Sequence, residues 1–157
     1  MNKRIWKIYV DSSVVYGAPT KEFSQDSRYF WESFRNGEFT LIVSDVLTEE
    51  IERSPQSVRD LFDALPESHI ERVFSTDESD DLAERYVVEG VVDETNLDDC
   101  RHIALATIHR ADAVVSWNFR HTIYRRAGYN DVNLKLGYPG IEIQAPKQFM
   151  EVPYDET

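Results

Sequence analysis

The chain has 157 residues, about the size of one globular domain, and its 41% hydrophobic and 12% aromatic residues are too many for an intrinsically disordered chain. It carries 29 acidic and 17 basic residues, and a formal net charge of −12 excludes a protein that grips duplex DNA through an all-over basic surface. A single cysteine, Cys100, cannot form an intrachain disulfide, and no apolar run suits a signal peptide or a membrane span. We therefore expect one domain over residues 1–157, with a core at about 5–149, a short acidic C-terminal tail, no membrane attachment and a cytoplasmic location.

The predicted elements alternate between strands and helices along the whole chain. The first strand, Ile5–Val10, is apolar or aromatic at every position but one, which is typical of a strand buried on both faces. In chain order the others are a helix at Ser24–Arg35, a strand at Thr40–Val43, helices from Ser44 to about Arg53 and from Pro55 to Leu65, a strand at His69–Phe74, helices at Glu78–Glu89 and Leu97–Arg110, a strand at Ala113–Ser116, a helix at Phe119–Ala127 ended by Gly128, and a strand at Gly140–Ile143 before a helical turn from Ala145. This alternation predicts a three-layer α/β/α fold with a mostly parallel central sheet.

Two polar residues directly follow predicted strands. Asp11 comes straight after the first strand, and Asn118 lies just beyond the strand at Ala113–Ser116. Open parallel sheets bind ligands outside the carboxyl ends of their strands, so both residues are candidates for a site. The alternative for each is ordinary turn and capping chemistry.

Glu50 is the acidic residue of its helix that needs an explanation. At about 100° per residue it lies about 40° from Val46 and inside the apolar stripe, whereas Glu49 and Glu52 fall on the outer face. Burying a lone carboxylate is unfavourable unless a cation or hydrogen-bond donors meet it. Glu50 is therefore a third site candidate, with a position at the rim of the stripe as the alternative.

Asp99 lies in the first turn of the predicted helix at Leu97–Arg110. It shares a helical face with Ile103 and Ala106, so its carboxylate should point inward, whereas Asp98 points about 100° away. The alternative is a carboxylate placed there only because the helix dipole favours it. His102, one turn further on, is more typical of a hydrogen-bonded core histidine than of a metal ligand.

Taken together, these positions give the chain a resemblance to the PIN-domain family, the PilT N-terminus nucleases that include VapC-like toxins. The segments that carry the resemblance are Tyr9–Ser13, Ser44–Ile51, Asp99–Ala106 and Ala111–Asn118, with Tyr138–Ile143 and Pro146 further on. Each motif is short and degenerate, but their order and spacing over residues 5–149 are more specific than any one of them.

The resemblance implies a nuclease that hydrolyses single-stranded RNA with one or two Mg²⁺ or Mn²⁺ ions. It places the metal-binding acids at Asp11, Glu50 and Asp99, and the fourth catalytic position at Asn118. Hard divalent cations prefer oxygen ligands, and a metal-bound water is a usable nucleophile near neutral pH. Many family members carry Asp where this chain has Asn118, so the lost negative charge predicts one well-held ion and modest activity.

The resemblance also implies partners. A VapC-like protein would be the toxin of a type II toxin–antitoxin pair and would bind a small antitoxin protein. Family members often form homodimers through helices, and one apolar stripe in this chain is a candidate interface, although it is more typical of a core. The stripe consists of Phe23, Phe30, Trp31 and Phe34.

Two other functions remain open from the sequence. Asn118 favours a catalytically weak PIN-like module that binds RNA or protein. A different α/β fold with a receiver- or phosphatase-like acidic pocket would use Asp11 as a phosphoryl acceptor. That reading has less support, because we find no Thr, Ser or Lys suitably placed to balance the charge of a phosphoryl group.

The net charge divides unevenly along the chain. Residues 77–99 contain ten acidic residues and one basic residue, whereas residues 100–130 contain one acidic and five basic residues. Four cationic or titratable side chains follow Asn118, namely Arg120, His121, Arg125 and Arg126. They are candidates for contacts with a nucleic-acid backbone, and the alternative is a helix face that pairs with nearby acids.

Overall fold

The computed structural model describes residues 4–11, 13–14 and 24–147, and a five-stranded sheet runs through its centre. All paired strands run parallel, in the order β3-β2-β1-β4-β5. The strands are β1 (Trp6–Val10), β2 (Phe39–Ser44), β3 (Ile70–Val73), β4 (Ala113–Val115) and β5 (Glu142–Gln144). The mostly parallel sheet predicted from the alternating elements is thus confirmed.

Helices cover both faces of this sheet. In the described part of the chain they are α1 (Ser24–Arg35), α2 (Asp45–Glu52), α3 (Gln56–Asp63), α4 (Asp77–Val88), α5 (Leu97–Ile108) and α6 (Arg126–Lys135). Alternate strand residues point to opposite faces, so Ile8 and Val10 pack with α1–α3 while Tyr9 packs with α4–α6. The three-layer α/β/α architecture is therefore confirmed.

The aromatic stripe of α1 belongs to the core. Phe30 and Phe34 are fully buried and Trp31 nearly so, and Phe30 stacks on Phe39 of β2 with ring centroids 6.2 Å apart. Phe23 lies outside the described residues. The three described aromatic side chains lie inside the chain, which confirms the core interpretation of the stripe.

One predicted helix is wrong. The predicted helix over residues 119–127 is not continuous, because residues 119–122 form a turn in which the Asn118 carbonyl accepts hydrogen bonds from the N–H groups of Thr122 and Ile123. A short 3-10 turn follows at residues 123–125, and α6 then begins at Arg126.

Gly128 does not end a helix but lies within α6, where an added Cβ would be 3.2 Å from Val91 Cγ1. The glycine thus permits close packing against the segment after α4. The helical turn predicted from Ala145 lies partly outside the described residues, and every other predicted helix and strand occurs within two residues of its predicted bounds.

The chain order of the sheet reverses between β1 and β4. The chain passes from β1 to β2 to β3 on one side, then crosses to β4 on the other side of β1. In open α/β sheets, the crevice beyond the carboxyl ends of the strands at such a switch point is where ligands bind. Asp11 follows β1 and Ser116 follows β4, so both lie at this crevice.

None of the helices in the described residues is long and apolar enough to cross a membrane.

Candidate functional site

Asp11 is a buried carboxylate held by serine donors. Its side chain is 5% exposed. One oxygen accepts hydrogen bonds from the backbone N–H (3.1 Å) and the hydroxyl of Ser13, and the other accepts from Ser116 Oγ at 2.5 Å. Burial raises the pKa of Asp11, against the opposing effects of His102 and of the Ser116 and Ser13 hydrogen bonds. Burial thus disfavours the ionised form of Asp11, and the hydrogen bonds and His102 offset only part of that cost.

Glu50 meets His102 across the interface between α2 and α5. Its Oε1 lies 2.8 Å from His102 Nε2, and the other imidazole nitrogen, Nδ1, lies 2.6 Å from the Tyr9 hydroxyl. An ionised Glu50 carboxylate accepts this hydrogen bond from the tautomer or cation of His102 that carries a proton on Nε2. Glu50 therefore faces the interior, as its place in the apolar stripe of the helix predicts, while Glu49 and Glu52 are exposed.

The same hydrogen-bonded chain continues to the start of α2. The Tyr9 hydroxyl lies 2.7 Å from Ser44 Oγ, and Ser44 Oγ caps α2 by accepting the N–H of Leu47 at 3.1 Å. Helix α2 is thus tied to the core at its N-cap and again at Glu50, with Tyr9 and His102 between the two points. Two anchors on one short helix fix its rotation and hence the direction of the Glu50 carboxylate.

Asp99 lies in the first turn of α5 and interacts electrostatically with Asp11, His102 and Glu50. Burial raises the pKa of its carboxyl, and the negative charge of Asp11 raises it further, while His102 and His121 act in the opposite direction and Glu50 adds to the increase. The neighbouring Asp98 is exposed and pairs instead with Arg101 at 2.9 Å. The different orientations of the two adjacent acids follow from helical geometry, which separates them by about 100°, as predicted. Asp11, Glu50 and Asp99 therefore form one electrostatically coupled group, hereafter the acidic cluster.

His102 interacts electrostatically with all three acids of the acidic cluster. Its side chain is 4% exposed, and burial lowers its pKa. The hydrogen bond to Glu50 and the charges of Glu50, Asp11 and Asp99 outweigh that effect, so the net change is upward. The histidine is fully hydrogen-bonded, as a core histidine should be, but it also joins all three carboxylates electrostatically.

Asn118 offers a donor to the cluster rather than an oxygen ligand. Its amide oxygen accepts the N–H of His121 at 3.0 Å, which leaves the amide nitrogen to face Asp99 Oδ1 at 3.3 Å. A backbone N–H can only donate, so this orientation of the amide is determined by the turn. The amide oxygen of Asn118 is thus engaged by the turn, and the side chain presents its nitrogen to Asp99.

The donor set of the acidic cluster fits Mg²⁺ or Mn²⁺ in its chemistry. All three acids supply carboxylate oxygens, the ligands that hard cations prefer, and their mutual repulsion is a cost that a cation would relieve. Among residues 4–11, 13–14 and 24–147, however, no three His, Cys, Asp or Glu side chains are grouped so that they could hold a metal ion. The charges of the three acids affect one another, but the described side chains are not arranged as a ready-made metal site.

The basic residues after Asn118 lie on the turn and the start of α6 rather than along one helix face. Arg120, Arg125 and Arg126 are exposed, and none of them forms a salt bridge with another described residue. His121 is partly exposed. The alternative of a helix face that pairs with nearby acids is thus not observed in the part of the chain that the structure describes.

Several residues of the site were not found from the sequence. Ser13 and Ser116 hold Asp11, and Tyr9 holds His102, yet each is an unremarkable residue in or beside a strand. The usable signal was the position of Ser13 and Ser116 beyond the strands that flank the switch point. For Tyr9 no signal existed, because the partner of a buried hydroxyl is decided by which helix covers that face.

No model of a known protein family matches the chain, and no curated protein matches its sequence significantly.

Proposed function

We propose that this protein is a metal-dependent endoribonuclease of the PIN-like type that hydrolyses phosphodiester bonds in single-stranded RNA. One observation carries the proposal: three electrostatically coupled carboxylates, Asp11, Glu50 and Asp99, converge from β1, α2 and α5 beside the β1–β4 switch point. Clustered, partly desolvated carboxylates destabilise a fold unless a cation or hydrogen-bond donors meet them, and such groups are concentrated at functional sites. The predicted resemblance to the PIN-domain family supplies the reaction and the substrate class.

Each residue has a distinct task in this proposal. Asp11, Glu50 and Asp99 would hold Mg²⁺ or Mn²⁺, and Ser13, Ser116 and His102 orient two of these carboxylates. The bound ion would supply a nucleophilic water near neutral pH and offset negative charge on the phosphodiester.

Outside the acidic cluster, Arg120, His121, Arg125 and Arg126 provide cationic contacts for the phosphate backbone leading to the site. Asn118 steadies Asp99 through its amide nitrogen.

The direct test is cleavage of a labelled single-stranded RNA by the purified protein. We expect cleavage with Mg²⁺ or Mn²⁺ and none with excess EDTA, because in this proposal the attacking water is activated by the bound ion. A matched DNA strand and a duplex RNA serve as substrate controls. Cleavage that persists at full rate in EDTA would contradict the proposal.

Asn118 determines how many ions the site should hold. The chain has an amide where many PIN domains have a carboxylate, so we expect calorimetry to show one well-held Mn²⁺ ion in the wild-type protein. Asn118→Asp replaces a donor to Asp99 with a like charge, which should lower the Tm of the metal-free protein and increase the Tm rise that Mn²⁺ produces.

Two results, one from calorimetry and one from thermal melts, would contradict this prediction. Two tight Mn²⁺ sites in the wild-type protein would show that Asn118 does not limit the site. A Tm rise with Mn²⁺ that is no larger in Asn118→Asp than in wild type would show that residue 118 lies too far from the ion to matter. Asn130→Asp, on α6, is the control for an amide-to-carboxylate change elsewhere.

A second candidate function is a PIN-like module that binds RNA or protein with little catalysis. Two observations favour it: Asn118 presents a donor instead of an acid, and no assembled metal group occurs among the described residues. RNA binding that is unaffected by EDTA, without cleavage in Mg²⁺ or Mn²⁺, would select this function over the first.

The biological role we propose rests on the resemblance. A toxin of a type II pair would bind an antitoxin, and the net charge of −12 would suit a basic antitoxin segment. A homodimer is part of the same proposal. Sedimentation of the purified protein, alone and with the product of a neighbouring small open reading frame, tests both partners.

A further inference from the structure

Three aromatic rings form a series that leads from the site to solvent. The ring centroids of Trp117 and Phe119 are 6.4 Å apart, and those of Phe119 and Tyr124 are 5.8 Å apart. Both distances are within the range of favourable aromatic contacts. Exposure increases along the series, because Trp117 and Phe119 are partly buried while Tyr124 is 76% exposed.

The position of Tyr124 is set by the local backbone. Its N–H donates to the Phe119 carbonyl at 2.8 Å, and it lies in the 3-10 turn at residues 123–125, whose Ile123 is buried in the core. Burial of Ile123 directs the next side chain outward. Tyr124 is thus held in place by its backbone and by Phe119 while most of its ring remains in solvent.

The aromatic series is joined to the acidic cluster by hydrogen bonds. The Trp117 N–H donates to Ser13 Oγ at 2.8 Å, and the Asn118 N–H donates to Ser116 Oγ at 2.9 Å. Both serine hydroxyls also bond to Asp11. The base of the series is therefore fixed to one of the three acids.

Three arginines lie close in sequence to the exposed end of the series. Arg125 follows Tyr124 in the same turn, and Arg120 and Arg126 lie a few residues away, all three exposed and without a salt bridge to another described residue. An exposed aromatic ring together with exposed arginines is the combination that binds single-stranded nucleic acid, because the ring stacks on a base while the cations meet the phosphates. A duplex would not offer an unstacked base to such a ring.

We propose that Tyr124 is a base-stacking platform that binds an unpaired base of single-stranded RNA next to the acidic cluster. The inference rests on the proposed function for its ligand class, and it adds a residue and a recognition mode: stacking, which tolerates any base, in place of hydrogen-bonded sequence readout. The platform positions RNA and takes no part in bond cleavage.

The test uses a 12-nucleotide single-stranded RNA that contains one 2-aminopurine, a base whose fluorescence falls when it stacks. In EDTA, which keeps the RNA intact, wild-type protein should bind the RNA and quench the probe at one or more positions of the 2-aminopurine. Tyr124→Ala should weaken binding about 5- to 100-fold and abolish that quenching, whereas Tyr124→Phe should keep both. Tyr29→Ala is the matched control, because Tyr29 is a partly exposed tyrosine on α1, on the opposite face of the sheet.

Cleavage in Mn²⁺, measured in parallel, separates this inference from the proposed function. Equal affinity and quenching in wild type and Tyr124→Ala would overturn the platform, even for a protein that cleaves RNA. Quenching that depends on Tyr124 without any cleavage would support the platform and overturn the nuclease. Failure of the wild-type protein to bind the RNA would also overturn the platform. Because Tyr124 is exposed, the Tm of Tyr124→Ala should match wild type and so exclude a folding defect.

Discussion

Replacing Asp99 with asparagine should reduce RNA cleavage by at least about 100-fold and leave the protein correctly folded. Substitutions that only disturb residues behind a metal ligand already cost about 10- to 100-fold in metal affinity or activity. Loss of a proposed ligand itself should cost no less. The change is nearly isosteric, so packing at the start of α5 is retained.

The same substitution should maintain or raise stability at neutral pH. Burial and the charge of Asp11 raise the pKa of Asp99 in the folded protein. A carboxyl with a raised folded pKa binds its proton more tightly when folded, so the free energy of unfolding falls as pH rises from the unfolded pKa to the folded one. Above that window ionised Asp99 destabilises the fold, and asparagine removes the penalty. A loss of activity together with an unchanged or higher Tm is the pattern of a functional site.

The matched control is Asp98→Asn, one residue away on the same helix. Asp98 is exposed and pairs with Arg101, so its loss should change neither cleavage nor Tm appreciably. Initial rates on a labelled RNA in Mn²⁺, with thermal melts in EDTA, measure both quantities. Equal loss of cleavage in the two variants would indicate a general electrostatic effect and would remove Asp99 from the site.

Replacing His102 with alanine should lower the free energy of unfolding by about 2–4 kcal/mol, because it leaves a cavity in the core and removes two buried hydrogen bonds. The Tyr9 hydroxyl would lose the partner at 2.6 Å and Glu50 the partner at 2.8 Å. For a chain of this length, that change corresponds to a fall in Tm of about 4–16 °C. Cleavage should fall as well, since Glu50 would no longer be held in one direction.

Two further variants separate packing from hydrogen bonding at His102. His109→Ala, just after the end of the same helix, removes a more exposed imidazole. It should lower the free energy of unfolding by less than about 1 kcal/mol. A double-mutant cycle of His102→Ala with Glu50→Gln should give a coupling energy of at least about 1 kcal/mol in denaturant melts. Additive effects would show that the hydrogen bond seen between His102 and Glu50 contributes nothing to stability.

The local sequence was sufficient for the side-chain directions that helical geometry controls. Glu50 lies inward while Glu49 and Glu52 are exposed, and Asp99 lies inward while Asp98 is exposed. These outcomes needed only the period of the helix and the identity of the apolar neighbours. A rule that depends on residues within two turns can be applied before any fold is known.

The region after β4 shows where such rules fail. Residues 119–127 have the composition of a helix, but the Asn118 side chain and carbonyl both accept nearby N–H groups and produce a turn. Gly128 looked like a helix terminus, and its actual role is to let α6 approach Val91. Competing hydrogen bonds from a single asparagine and a contact with a distant valine are not encoded in local periodicity.

The sequence by itself determined the α/β class, nearly all element bounds and the candidate acids, because these depend on burial patterns and spacing along the chain. Only the tertiary structure decided that Asp11, Glu50 and Asp99 share one electrostatic environment, that His102 and Tyr9 join α2 to the core, and that Asn118 presents its nitrogen to Asp99. These are relations between residues far apart in the chain. Strand order and helix docking create them, so no pattern within one segment specifies them.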